Sequence, residues 1–190
     1  LYDIWRRGSV DRYGDDGWRE LVRQRMERAE AVEWRRLMCL GGPKTELYSR
    51  VKSVWGCERY ISEAWSRKSV AFNRSLRSGT CDLEVELGRG VCAREERVCR
   101  LCKVECESVI HFVLRCGRLQ ELREEWVRKL VVVLTGSVVV WEELREGERL
   151  EVVLGKDVCA GGEGLRRSVD KVAREGLWEM KCCRDKLLSG

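Results

Sequence analysis

The chain of 190 residues holds a single histidine, and that histidine lies within a cysteine-rich stretch: Cys99-Arg-Leu-Cys102, eight residues, His111, four residues, Cys116. No other feature restricts the local fold so tightly. Three thiols and an imidazole at Cys-x2-Cys-x8-His-x4-Cys spacing are the soft-to-borderline donors that suit a tetrahedral zinc ion. The Cys99–Cys102 pair can form a turn that aims two sulfurs at one point, and Glu107-Ser108 can open a short helix that carries His111 there. Cys116 comes five residues later, a wide step for one helical face, so it is expected where that helix ends, with Gly117 available for a left-handed stop. Cys106 stands as an alternative to one of the three thiols. Four ligands from the protein leave no open position for water, so one structural zinc is expected, and residues 92–117, poor in large apolar groups, depend on it for their shape.

The other cysteines fit this reading. Eleven cannot all pair. The start at Leu1 shows no basic stretch followed by an apolar run, which reads as a chain without a signal peptide. The longest apolar cluster, Leu130 to Trp141, is broken by Thr135-Gly136-Ser137 and falls short of the roughly 20 residues that a membrane span needs. The expectation is a soluble, intracellular protein of cytoplasm or nucleus with no membrane partner. In that reducing setting clustered cysteines point to metal before disulfides. Cys39, Cys57, Cys81 and Cys92 have apolar or small neighbours and read as core thiols.

With 44% hydrophobic and 36% charged residues a packed core is feasible, and the apolar periodicity is almost entirely helical. It predicts a mainly α fold, an irregular helical bundle with a small Cys-Cys-His-Cys knuckle and little strand. Asp15-Asp16 can cap a helix to Leu40 with Trp18, Leu21, Val22, Met26 and Ala29 on one face. Helices over about 44–55 and 58–76 follow, the latter striped by Ile61, Ala64, Trp65, Phe72 and Leu76. Leu119, Leu122, Trp126, Leu130 and Leu134 mark another, supported by Glu124–Arg128 and Glu125–Lys129 at i,i+4. A short helix near 139–149 precedes a glycine break at 161–164 and a terminal amphipathic helix through Leu165, Val169, Ala173, Leu177 and Met180. Strand signals are confined to Leu83–Leu87 and the turn around Cys99. Three regions result: helical 1–91, the knuckle 92–117, and helical 118–190.

The net charge is +5, with most of the 37 basic residues arginine and the excess in the middle of the chain. Arg59, Arg67, Lys68, Arg74 and Arg77 face only Glu63 over 59–77 and are interleaved with Tyr60, Trp65 and Phe72. Arg89, Arg97, Arg100, Lys103, Arg115 and Arg118 extend the basic surface around the knuckle. Trp65 and Phe72 match the apolar stripe and read as core, while the cations are expected to contact a nucleic-acid backbone, with weak sequence selectivity and a strong fall with salt. Tyr13-Gly14-Asp15-Asp16 spells the metal-binding tetrapeptide of polymerase palms, but it lacks flanking hydrophobic strands and has only twelve residues upstream for a third carboxylate. It reads as a helix cap. No second histidine, phosphate loop or small-molecule site appears, so the chain is not expected to be an enzyme.

Arg77-Ser-Gly-Thr80, Gly88-Arg89, Arg94-Glu-Glu-Arg97, Cys99-x2-Cys102 and Glu107-Ser-Val-Ile-His111-Phe-Val-Leu-Arg-Cys116 together resemble the zinc-binding segment at the C-terminal end of non-LTR retrotransposon (LINE-like) reverse transcriptases. The likeness is specific over about 72–126. It implies zinc ligation by Cys99, Cys102, His111 and Cys116, a polymerase domain upstream of residues 1–91, and RNA and target DNA as partners. Arg100, Lys103 and Gly117 stand where that family often has Pro, Gly and Pro. The rival readings are a zinc-stabilised protein-interaction module and a degenerate retroelement fragment.

Overall fold

The computed structural model describes residues 14–42, 45–52, 54–56, 66–156 and 162–190. The expected positions Tyr13, Cys57, Arg59 and Tyr60 to Trp65 lie outside these. The chain divides into two compact units, Leu1–Gly41 with Val54–Gly56, and Gly42–Ser53 with Cys57–Gly190. The expected mainly helical architecture is what the structure shows: among the described residues the only β pairing is one antiparallel bridge, Val98 to Cys106. No described helix is long and apolar enough to cross a membrane.

In the first unit, α1 spans Gly14–Leu40, with Asp15 and Asp16 in its first turn, where carboxylates favour the positive end of the helix dipole. Trp18, Leu21 and Val22 are half-buried, but Met26 and Ala29 are exposed and no residue of α1 is fully buried. The expected face runs out because Glu33 and Arg36 continue it, and these pair with each other at 2.6 Å. Arg23 likewise bridges Glu20 and Glu27. Cys39 is exposed rather than core, since it lies off any packed face of this helix.

The second unit carries the core. Helices α2 (Glu46–Val51) and α3 (Arg67–Arg77) are followed by the single helical turn α4 (Glu84–Leu87). Ser66 caps α3 by accepting from the Ser69 N–H, and Phe72, Asn73 and Leu76 face inward. The α4 segment is helical where the sequence suggests strand. Its first free N–H, on Glu84, donates to the Glu107 carboxylate at 3.0 Å, a cap supplied from 23 residues away that local periodicity cannot reveal.

Helices α5 (Gln120–Leu134) and α7 (Gly162–Ser189) form the main packing pair. Most of the predicted stripe is buried: Leu119, Trp126, Leu130 and Leu134, together with Val169, Ala173, Leu177 and Met180 of α7, while Leu122 and Leu165 are half-buried. The Trp126 indole N–H donates to Val172 O at 2.9 Å, so the ring is anchored as well as buried. Between them, α6 (Glu146–Val153) starts later than expected because the Glu148 carboxylate reaches back to the Arg145 N–H, while Trp141–Glu143 makes a separate tight turn. Phe72 of α3 meets Phe112 edge-on at 5.9 Å and Trp178 of α7 at 6.3 Å. Residues 92–117 thus share one unit with the helices on either side.

Candidate metal centre

Two backbone devices bring the four predicted ligands together. The first is a tight hairpin. Cys99 N–H donates to Glu105 O, Glu107 N–H to Arg97 O, and Lys103 N–H back to Cys99 O, each at 2.9 Å. Lys103 closes the hairpin at φ +57°, the only described non-glycine residue in the left-handed region. The second device is a widened helical turn. Ser108 Oγ accepts from His111 N–H at 3.1 Å and starts it, and Cys116 N–H then donates to His111 O at 2.8 Å, an i to i+5 bond. Positions five apart on an ordinary α-helix lie about 140° apart around the axis. The π-type turn over His111–Arg115 narrows that angle and sets Cys116 on the His111 side. The expected left-handed stop at Gly117 is absent, because Gly117 instead opens a 3-10 turn through Leu119.

The ligand atoms of Cys99, Cys102, His111 and Cys116 all lie within 4.8 Å of one another. Cys99 Sγ and Cys116 Sγ are 3.9 Å apart, and Cys102 Sγ lies 3.4 Å from His111 Nε2. A tetrahedron with zinc–sulfur bonds of about 2.3 Å and zinc–nitrogen bonds of about 2.0 Å has sulfur–sulfur edges of about 3.8 Å and sulfur–nitrogen edges of about 3.5 Å. The two edges at 3.9 Å and 3.4 Å are close to these values, and with all four donors within 4.8 Å of one another the set is positioned to hold one metal ion. Cys106 falls outside this group; its backbone is engaged in the bridge to Val98.

The surroundings match a thiolate-rich centre. The backbone N–H groups of Leu101 and Cys102 point at the Cys99 sulfur, and that of Arg118 points at Cys116. Burial pushes the Cys99 thiol up to about 12 and raises Cys116 in the same direction. These sulfurs are consequently poor bare anions, and a cation is what makes their ionised form stable there. On the far side of the imidazole, His111 Nδ1 sits 2.9 Å from Glu105 Oε1, close in distance though not aligned as a full hydrogen bond. His111 first, and then Arg115, hold the Glu105 carboxyl below its usual range. A carboxylate behind a ligating imidazole fixes which nitrogen faces the metal.

Three more residues complete the frame. Arg123 Nε and Nη2 donate to Val113 O and Cys116 O, pinning the end of the widened turn to α5. Glu107, 1% exposed, lies 3.7 Å from Cys99 Sγ and is gripped by Arg184 of α7. The acidic pair Glu105 and Glu107 flanks Cys106 in the sequence and could have drawn notice there. Arg123 and Arg184 are two of many arginines on amphipathic helices and carry no such signal.

The predicted nucleic-acid contacts separate into two groups. Arg67, Lys68 and Arg74 on α3, with Lys103 and Arg118, are exposed and make no ion pair among the described residues. Arg77 is 3% exposed and lies over the Tyr48 ring, which takes it off any basic surface. The Arg97 guanidinium donates to Cys92 O and Val85 O and ties the hairpin to α4. Arg89 pairs with Glu86, Arg100 with Glu84, and Arg115 with both Glu105 and Glu146. Cys81 is buried as expected, its thiol raised by burial to about 11, and Cys92 is half-buried. Comparison with protein-family models, with curated proteins and with solved structures gives no match.

Proposed function

We propose that this chain is a nucleic-acid-binding, zinc-containing tail of a retrotransposon-type reverse transcriptase, without catalytic activity of its own. The observation that carries the reading is the closed three-cysteine, one-histidine cluster, with ligands at the spacing that prompted the resemblance and edges that suit one zinc. An ion there cross-links hairpin, widened turn and, through Arg123, helix α5, so its role is to hold shape. The exposed cations Arg67, Lys68, Arg74, Lys103 and Arg118, which make no ion pair among the described residues, supply charge for phosphates.

The test is titration of labelled single-stranded RNA and duplex DNA with the zinc-loaded chain and with the triple variant Arg67→Ala/Lys68→Ala/Arg74→Ala. Binding that weakens in the variant and falls steeply between 50 and 500 mM salt fits the proposal. Affinity that ignores both would overturn it. The protein-interaction reading has its own support in the exposure of Leu87, Val91 and Val104 on the segments around the knuckle. It predicts no loss of partner capture in the same variant.

A further inference from the structure

Beside the zinc ligands, and separate from them, the second unit holds a cleft of about 500 Å³ between α5, the start of α6 and the Trp141 turn. Its floor is apolar, made by Leu114, Val127 and Trp141. Its wall carries Arg149, whose guanidinium lies over the Trp141 ring at 5.6 Å. That guanidinium is locked there by donating to Trp141 O at 3.1 Å and Glu142 O at 2.9 Å. Both acceptors are neutral, and the guanidinium's charge also acts on the Glu146 carboxylate at the rim. A fixed guanidinium plane beside an indole is a stacking platform for a flat ring.

The charge of the rim is just as specific. The sequence pairs Glu124 with Arg128, but in the structure Glu124 accepts from Gln120 Nε2 at 2.8 Å instead. Arg128 is left on the rim with no hydrogen bond or ion pair among the described residues. The other rim carboxylate, Glu146, is taken by Arg115 through two bonds. The cleft thus offers the Arg128 guanidinium at its mouth, with the Glu124 carboxylate on the same rim and Glu125 near enough to feel its charge, and an apolar slot faced by Arg149 beneath.

We infer that this cleft takes one nucleotide, with its base in the slot against Trp141 and Arg149 and its phosphate at Arg128. The nucleotide comes either from an unpaired position in a strand, which deepens and rests on the proposed function, or as a free monophosphate. An apolar peptide side chain would use the floor but leave Arg128 without a role.

The experiment is ligand-observed NMR titration of the full zinc-loaded chain with uridine monophosphate, with uridine, and with a twelve-residue oligouridylate. The variants are Arg128→Ala, an exposed change that leaves the fold intact, Val127→Trp, which fills the slot, and Lys186→Ala, an exposed control outside both the cleft and the α3 cations. The expected result is binding of the monophosphate that weakens about fivefold or more in Arg128→Ala. It is lost in Val127→Trp, is unchanged in Lys186→Ala, and is weaker for uridine at every concentration. Monophosphate binding that is absent, or equal in wild type and Arg128→Ala, overturns the cleft. Should the oligouridylate bind through the α3 cations yet ignore both cleft variants, the cleft proposal fails and the nucleic-acid reading stands. Should the monophosphate bind as expected and no strand bind at all, the cleft stands as a site for free nucleotide and the nucleic-acid reading fails.

Discussion

Arg184 and Glu107, 77 positions apart, form a buried two-pronged ion pair: Nε to Oε1 at 2.7 Å and Nη2 to Oε2 at 2.8 Å, with both side chains at most 4% exposed. The same carboxylate caps α4 and faces Cys99. One residue of the terminal helix therefore holds the wall of the metal centre.

Removing one partner leaves a charge in a dry place. Glu107→Met and Arg184→Met should each cost about 3 to 5 kcal/mol. The double variant Glu107→Met/Arg184→Met should recover much of that, because two apolar side chains leave no orphan charge. Chemical denaturation of the four proteins checks this. Additive losses would mean that the two groups act independently.

The candidate metal site was more legible in the sequence than the helices that frame it. The ligand set, the turn at Cys99–Cys102 and the helical segment carrying His111 follow from residue type and spacing alone. The turn that places Cys116 does not, since nothing in local periodicity distinguishes the i to i+5 bond from His111 to Cys116 from an ordinary helical one. Periodicity also found α5 and α7, where a continuous stripe meets a partner. It overran in α1, whose apolar face gives way to a Glu33–Arg36 pair. It misread α4, whose cap comes from Glu107. Among the cations, sequence shows charge but not occupation: Arg77 and Arg97 are spent inside the fold.

One zinc per chain is the expected stoichiometry, read by elemental analysis of protein exchanged into metal-depleted buffer. Cys116→Ser and His111→Ala should lose the ion, whereas Cys106→Ser should retain it, because Cys106 stands outside the ligand cluster. Glu105→Gln keeps all four ligands but removes the charge behind the imidazole. It should weaken zinc binding by about 10- to 100-fold.

Zinc affinity should rise with pH. Burial lifts Cys99 from the usual 9.0 to about 12, so the metal-free fold favours the thiol. That contribution is complete below pH 9 and is lost as pH climbs toward 12. Zinc needs the thiolate, so its binding displaces protons throughout the neutral range, and acid releases the ion. Competition against a chelator from pH 6 to 8 should show affinity increasing by up to about tenfold per pH step for each proton displaced. A flat profile would mean that the sulfurs are already ionised without metal.

Lys103 holds the hairpin closed in a left-handed conformation that costs a side-chain-bearing residue about 1 to 2 kcal/mol. Lys103→Gly removes that cost but adds freedom to the unfolded chain, so the net change should be a gain of no more than about 1 kcal/mol. Lys103→Val, branched at Cβ, should lose more than about 1 kcal/mol and weaken zinc retention along with it. Thermal melts of the zinc-loaded variants give the order Gly, Lys, Val from most to least stable.

Gly176 lies on the buried face of α7, directly under the Trp126 ring of α5. A Cβ at this position would fall inside the ring, with Cδ1, Cγ and Nε1 of Trp126 as its nearest atoms. The backbone there is ordinary helix, so the requirement for glycine is one of space. Trp126 cannot easily retreat, because its indole N–H is bonded to Val172 O one turn earlier on the same helix. Gly176→Ala should therefore force the helices apart and break that bond, costing about 3 kcal/mol or more even though alanine is the better helix former. Trp126→Leu in the same chain should restore part of the loss by vacating the contested volume. A Gly176→Ala protein as stable as wild type in denaturant would show that α5 and α7 do not approach at this point, and the packing that presents Arg123 and Arg184 to the metal centre would need a different origin.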